Sequence, residues 1–546
     1  MKTITLSGDN EPGETTALRR KLESIDDILP YVGNFGRYQW YLLLTLLPYS
    51  VAYANLYFSQ FFLTLVPQEH WCYVGDLQDR NLTQQERSDL NFSELLDRSD
   101  DFGSSEWQTN RTVDCDRWEY NFTQIPYKSI GAELDWVCNR HYLMSTAQAI
   151  YFCGSIVGGI VIGWIADHKG RIPALVLCNV VGLLGTIATA SATSFSFFAM
   201  CRFLTGLAFD NCINIPLIVV VEYMAVKRRT LVFNIAFGIH FALGSTILPW
   251  LAYYIADWRY FAYVTAIPLL CGLLTPWIMP ESARWYLANC KFDKVIEKLK
   301  KIAKINGKNP DPKIYELYLS ETATLLDLFK TPRVILTVLL FSTIHRFCVT
   351  VTFDGHVYSL KLLQSSVFVS FSLACATELP AGLLLTLILD RWGRRFCGFV
   401  TMAATGVFSF GELYLTSVAA QLTMSVLARF CLNMAANVGL QYAAELLPTP
   451  VRAQGIALIH IFGIMGHAVA PYLIDFAHIW TALPMLILGV LSFVTATLVL
   501  FLPETLGRDL PQTLRQGEEF GKGDRFWSLP SRHKADVDRL SVNVAG

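Results

Sequence analysis

The chain has 546 residues, of which 53% are hydrophobic and 16% charged, with a mean hydropathy of +0.37. That composition excludes an ordinary cytosolic enzyme, and a net charge of -1 says nothing about partners until the charges are placed along the chain. Ten of the thirteen cysteines fall in apolar segments or cytosolic loops, where they act as small apolar residues or reduced thiols.

Residues 1–38 are polar, carry Arg19, Arg20 and Lys21 together, and show no cleavable signal pattern, so none is expected. The first stretch long enough to cross a bilayer is 39–65, since crossing takes roughly 20 apolar residues. Residues 66–142 differ in kind, with 7 Lys and Arg against 15 Asp and Glu. They also carry four Asn-x-Ser/Thr sequons, at Asn81, Asn91, Asn110 and Asn121, which implies a glycosylated extracellular loop. Cys72, Cys115 and Cys138 lie in this insert; three thiols allow one disulfide among themselves, and its pairing is open.

Further spans are expected near 143–166, 174–194, 197–224, 231–255 and 259–280, completing an N-terminal six-helix bundle over 39–280. A lysine-rich connector, 281–333, reads as short amphipathic helices on the cytosolic side. A second bundle, 334–502, has spans near 334–356, 364–389, 396–416, 421–446, 454–476 and 479–502, followed by a polar tail, 503–546. Twelve spans place both termini on one side. The short loops of that side hold most of the basic residues, which marks it as cytosolic.

The two halves share a register. Asp167, Gly170 and Arg171 recur as Asp390, Gly393 and Arg394, each 223 residues later. The same offset takes Glu222 to Glu445, Arg229 to Arg452, Pro280 to Pro503 and Glu281 to Glu504. Seven positions in one register indicate an internal duplication. The expected fold class is therefore an all-α membrane protein of twelve transmembrane helices in two pseudo-symmetric six-helix bundles.

These motifs resemble the major facilitator superfamily, and within it the organic cation, organic anion and carnitine transporter family. The general likeness rests on the doubled D-x-x-G-R motif and on Pro280-Glu281-Ser282-Ala283-Arg284-Trp285. The narrower one rests on Gly33-Asn34-Phe35-Gly36-Arg37-Tyr38-Gln39, the insert after helix 1, Glu378-Leu379-Pro380, Glu445-Leu446-Leu447-Pro448-Thr449 with Arg452, and Leu502-Pro503-Glu504-Thr505. Departures are visible too: few insert cysteines, Phe353-Asp354-Gly355 in helix 7, and Ile464 where relatives carry a charge that separates cation from anion types. The resemblance implies that Asp167, Gly170, Arg171, Glu222, Arg229, Asp390, Gly393, Arg394, Glu445 and Arg452 form conformational gates joining the halves in one state.

Substrate chemistry is expected from intramembrane charges, because a charge at mid-bilayer costs about 2.5–3.5 kcal/mol and persists where it faces a partner or a watery cavity. Asp210, Arg346, Glu378 and Arg429 are such charges, with Asp354 and Glu412 nearer the outer surface. Glu378 reads either as an attractor of a substrate ammonium or as a structural partner of Arg346 or Arg429. Asp210 reads as a substrate group or as the partner of a neighbouring arginine. Arg346 could hold a carboxylate, which would suit a zwitterion, or neutralise Glu378; Arg429 reads as structural. His240 and His467 add imidazoles, the side chain whose unperturbed range lies near neutrality.

Aromatic faces attract cations, which adds Tyr53 of the Tyr49, Tyr53, Tyr57 stripe, Phe241, Phe353 and Tyr442, although such stripes also serve helix packing. Asn437 and Gln441 are the polar candidates on helix 10. No phosphate loop, H-E-x-x-H or paired C-x-x-C occurs, so no enzyme, metal site, cofactor or nucleic-acid partner is expected. The reading is a plasma-membrane transporter of small organic cations or zwitterions of the amine, carnitine or imidazole-amine sort, working by alternating access. An organic anion carrier using Arg346 and Arg429, and a non-transporting receptor on the same fold, are the alternatives.

Overall fold

The computed structural model describes residues 25–33, 35–73, 115, 117–123, 125–225, 228–229, 232, 234–310, 333–363, 365–448, 451–508, 511 and 514–520. The sequons at Asn81, Asn91 and Asn110 and most of the C-terminal tail lie outside these residues. Among them, ten helices are long and apolar enough to cross a membrane. In the first half they are α1 (Arg37–Leu63), α2 (Cys138–Lys169), α3 (Arg171–Thr189), α4 (Phe195–Glu222), α5 (Ile235–Ile255) and α6 (Trp258–Ile278). The second half begins with the 27-residue helix α7 (Arg333–Ser359). It continues with α8 (Val367–Trp392), α9 (Arg394–Tyr414), α10 (Val418–Leu446) and α11 (Gln454–His478), then the shorter α12 (Leu483–Val499), giving twelve. Helices are the outcome because hydrocarbon offers no partner to a backbone N–H or C=O.

Three of these helices are interrupted where function is expected. Helix α1 breaks at Leu46, where Pro48 opens its second segment. Helix α4 breaks at Asp210, and α8 at Thr377, directly before Glu378-Leu379-Pro380. Proline supplies no N–H to the ladder, which explains the breaks at Pro48 and Pro380. The start of α5 is wound wider than an α-helix over Asn234–Phe241, a feature that often marks functional segments.

The duplication is visible atom by atom on the face that carries the doubled motif. Gly170 (φ 116°) and Gly393 (φ 85°) turn the chain between α2 and α3 and between α8 and α9. A Cβ at either position would lie 2.6 or 2.5 Å from a carboxylate oxygen, of Glu281 or Glu504 respectively. Those carboxylates cap the following helix. Glu281 accepts from the backbone N–H of Arg171 at 2.8 Å and Ile172 at 3.1 Å; Glu504 accepts from Arg394 at 2.9 Å and Arg395 at 3.0 Å. An anion at a helix N-terminus meets free N–H groups and the positive end of the helix dipole.

Within the first half, α2 crosses α4 backbone to backbone. A Cβ on Gly154 would approach the Phe203 carbonyl to 2.3 Å, one on Gly158 the Leu207 carbonyl to 2.1 Å, and one on Gly206 the Tyr151 carbonyl to 2.0 Å. Small residues spaced by four allow such close crossings in membranes.

On the opposite face a short hairpin pairs β1 (His70–Cys72) with β2 (Trp118–Tyr120) in antiparallel register. A disulfide joins Cys72 to Cys115, with Cα atoms 5.7 Å apart, and Cys138 is a free, exposed thiol. The Asn121 amide, beside β2, donates to Glu69 at 2.6 Å. On the motif face, the connector helix Phe292–Ile305 ends at Asn306. Asn306 accepts from the Tyr38 N–H at 3.1 Å and donates to Gln39 at 3.0 Å, which ties the connector to the start of α1.

Candidate functional site

Helices α1 and α4 of the first half meet α7 and α11 of the second around a cluster of charged and aromatic side chains. Asp210, at the break in α4, is hydrogen-bonded to His460 Nε2 of α11. Two helical turns further on, His467 of α11 holds Asp354 of α7 through Nδ1 at 2.7 Å. The hydroxyl of Tyr57, from α1, bonds to Asp354 and lies 3.1 Å from His467. The Asp210–His460 and Tyr57–Asp354 bonds therefore cross between the halves.

Arg346 of α7 lies along the same side of α11. Its Nε would stand 3.1 Å from a Cβ on Gly463, which sits between His460 and His467, so glycine there admits the guanidinium. Asp210, Asp354, Tyr53 and Tyr57 are its electrostatic neighbours, and its buried Nε has no hydrogen-bond partner among the described residues. A cation thus lies within electrostatic reach of two buried carboxylates, each of which is bonded to an imidazole.

Aromatic rings close the first-half side. Tyr53 stacks on Phe209 with centroids 4.8 Å apart and contacts Phe241 at 5.5 Å and Phe237 at 6.2 Å. Phe152 of α2 stacks on His467 at 5.0 Å. The wide turns of α5 carry Phe237 and Phe241, which brings both rings to Tyr53.

The remaining candidates separate into two groups. Glu378 is half-buried in α8 with Arg429 as its charged neighbour. Arg429 is buried, lies 3.5 Å over the Phe353 ring and donates to the Phe353 carbonyl at 2.9 Å. On α10, Asn437 donates to the Asn433 carbonyl at 3.0 Å. Toward the motif face Gln441 donates to Glu445 at 3.2 Å and Tyr442 to the Pro503 carbonyl at 2.7 Å. Gln441 and Tyr442 therefore belong with the loop charges and not with the central cluster. Those loop charges bond within their own half: Asp167 with Arg171 at 2.6 Å, Glu222 with Ser282, Asp390 with Arg394 at 3.1 Å, and Arg394 with Glu445 at 3.0 Å. Arg452 donates to the Leu447 carbonyl at 3.0 Å, and Arg229 is half-buried beside the end of α4.

Links between the halves appear on the other face. His141 meets Asp475 at 3.1 Å, Tyr472 donates to Thr146 at 3.2 Å, and the Gln68 amide donates to the Lys361 carbonyl. The larger of two described cavities, about 430 Å³, is an apolar groove between α7 and α11 lined by Leu340, Ile344, Phe347, Phe462 and Met465. It lies on a different side of those helices from Arg346 and His460, and it offers no polar group to a solute.

Sequence reasoning passes over two members of this region, the half-buried His460 and the buried Arg202. His460 repeats His467 at a spacing of seven along α11, and that repeat in an apolar helix is its only signal. Arg202 of α4 is fully buried, donates to Gln60 at 2.8 Å and lies 4.6 Å from the Tyr151 ring centroid. An intramembrane arginine is as costly as any of the six charges named from the sequence.

Two bundles with a register of 223 residues and a charged cluster at their junction describe a particular architecture. The model of the Major Facilitator Superfamily matches residues 131–421, more than half of the chain. The chain belongs to that superfamily. As a Major Facilitator Superfamily protein it is a carrier of small organic solutes and not an enzyme. It is similar to the rat (Rattus norvegicus) "Solute carrier family 22 member 3", at 29% identity over 92% of this chain and 96% of the relative. It is also similar to two Drosophila melanogaster proteins. The "Carcinine transporter" is 28% identical over 92% of this chain and 80% of the relative, and the "Beta-alanine transporter" 27% identical over 90% and 89%. Among solved structures, the partially occluded inward-open form of the xylose transporter XylE from E. coli aligns with a TM-score of 0.59 at 14% identity, covering 88% of this chain and 100% of that one.

Proposed function

We propose that this Major Facilitator Superfamily protein moves a small organic cation or zwitterion through the junction between its two halves. The observation that carries the reading is the meeting of Asp210 and Asp354 with the α11 histidines at the junction, with Arg346 as their electrostatic neighbour and Tyr53, Phe209 and Phe241 packed on the first-half side. Two carboxylates and several ring faces favour an ammonium or imidazolium group. The guanidinium of Arg346 suits a carboxylate at the other end of the same molecule. The relatives named for carcinine and β-alanine support amines and amino acids as the first solutes to try.

Positive loop charge on the motif face supports placing that face, and both termini, in the cytosol. The sequons and the disulfide support an extracellular opposite face and a plasma-membrane location. Within this reading the central substrate residues are Asp210, Arg346, Asp354, Tyr53 and Phe241. Glu378, Phe353 and Asn437 line the second half, and the motif charges, Gln441 with them, rearrange as the two faces open in turn.

Uptake of labelled carcinine, β-alanine, tetraethylammonium and benzoate into expressing cells, with counterflow in proteoliposomes, tests the proposal. Saturable uptake of the amines or of β-alanine is expected. Uptake of benzoate alone would establish an anion carrier instead, and saturable binding without counterflow would establish a receptor.

A further inference from the structure

We propose that the carrier is a proton exchanger, in which one proton on the α11 histidines and one monovalent organic cation alternate at the central cluster; this rests on the transport reading above. Charge balance is the first ground. With both imidazoles neutral, Asp210, Asp354 and Arg346 sum to one net negative charge within a buried region. A net charge in a poorly solvated site is costly. Either one bound cation or one proton neutralises it, and both together leave an excess positive charge, so the two exclude each other.

Geometry is the second ground. His460 uses Nε2 toward Asp210, which leaves Nδ1 as the atom that takes a proton. Its side chain is 33% exposed while that of Asp210 is 9% exposed, so the imidazole is the more open partner of the pair. His467 uses Nδ1 toward Asp354 and Tyr57, which leaves Nε2 free to take a proton. The step is a plain protonation: the ring nitrogen lone pair takes H⁺ from water, and the imidazolium keeps its N–H bond to the carboxylate. The proton departs from the same nitrogen when a cation enters.

The surrounding groups leave few other candidates. Helix α1 brings Tyr53 and Tyr57, α2 brings Phe152 to His467 and, out at the insert face, His141 to Asp475 of α11 itself, α4 brings Asp210, and α7 brings Arg346 and Asp354. Helix α12 has no titratable residue between Leu483 and Val499. On α10 Arg429 is held by Phe353 and Glu445 by Arg394. Imidazole is the side-chain chemistry that exchanges protons near neutrality, and both imidazoles of the cluster sit against carboxylates. The Asp210–His460 bond also joins the halves. Charge-assisted bonds are about twice as strong as neutral ones, so proton occupancy and the closing of that joint are linked, and the linkage is reciprocal.

The test uses the full chain in proteoliposomes with the potential clamped and tetraethylammonium as probe, because that cation has no proton of its own. A lumen at about pH 6 against an exterior at about pH 7.5 spans the histidine range. We expect it to raise accumulation about threefold or more over symmetric pH, to lose that gain with a protonophore, and to alkalinise the lumen as the probe enters. In the double variant His460→Gln, His467→Gln the ratio of accumulation with and without the gradient falls to about one, whatever the absolute rate. Accumulation that ignores the gradient while counterflow proceeds overturns proton exchange and leaves the transport reading standing; absence of counterflow with every solute overturns the transport reading. A second readout needs no transport. The midpoint of thermal unfolding of the purified protein should depend on pH across the histidine range, and the double variant should flatten that dependence. Superimposable profiles overturn the proposal.

Discussion

Arg346 carries the sharpest expectation at the scale of single residues. A charge-assisted hydrogen bond contributes about 1.5–3 kcal/mol, so Arg346→Gln should weaken a carboxylate-bearing solute about ten- to a hundredfold. Carcinine, which has no carboxylate, should lose far less; equal losses for β-alanine and carcinine in parallel uptake curves would remove Arg346 from the carboxylate role. The motif glycines give a second expectation, on stability. Gly393 adopts φ 85° and faces the Glu504 carboxylate, whereas a methyl added at Gly382 would meet nothing within 4 Å. Gly393→Ala should therefore lower stability by about 1–2 kcal/mol. Gly382→Ala should be neutral or gain roughly 0.5–1 kcal/mol from the helix preference for alanine. Thermal unfolding in detergent separates them, and a tolerated Gly393→Ala would contradict the strained turn.

Among elements, the contrast between the two halves at equivalent crossings is informative. At α2 and α4 the contact residues are Gly154, Gly158 and Gly206; 223 residues on stand Thr377, Ala381 and Arg429. The first crossing is a backbone contact, while the second holds a buried guanidinium and the break before Glu378. Gly158→Leu should prevent assembly of the first half, because its Cβ position lies 2.1 Å from a carbonyl oxygen. Gly159→Leu, one position round the helix in open space, should be tolerated. Size-exclusion profiles of fluorescent fusions would show loss of the monodisperse peak for the first alone. The helical membrane fold and the duplicated loops were legible in sequence because each is set by local composition or by a fixed register. The pairing of Asp210 with His460 was not, since those residues are brought together only by packing of α4 on α11. Helix α1 hid its break in the same way: Tyr49 turns to Thr275 of α6, with 2.6 Å between the hydroxyls, while Tyr53 and Tyr57 join the central rings.

For the whole molecule, the bonds between halves lie at the central cluster, along the α5–α8 seam, where Ser372 donates to the Thr246 carbonyl at 3.1 Å, and on the face of the insert, while the motif charges named above bond within their own half. Exchange between states then requires the insert-face contacts to part. A cysteine pair at Thr146 and Tyr472, joined by a short bifunctional thiol reagent, should arrest uptake, and reductant should restore it; unimpaired uptake by the linked protein would show that this face does not move. The grip of Asn306 on Tyr38 and Gln39 has its own consequence. The connector as far as that asparagine therefore rides with the first bundle as one piece. A reporter inserted just before Asn306 would travel silently with its carrier through every stroke.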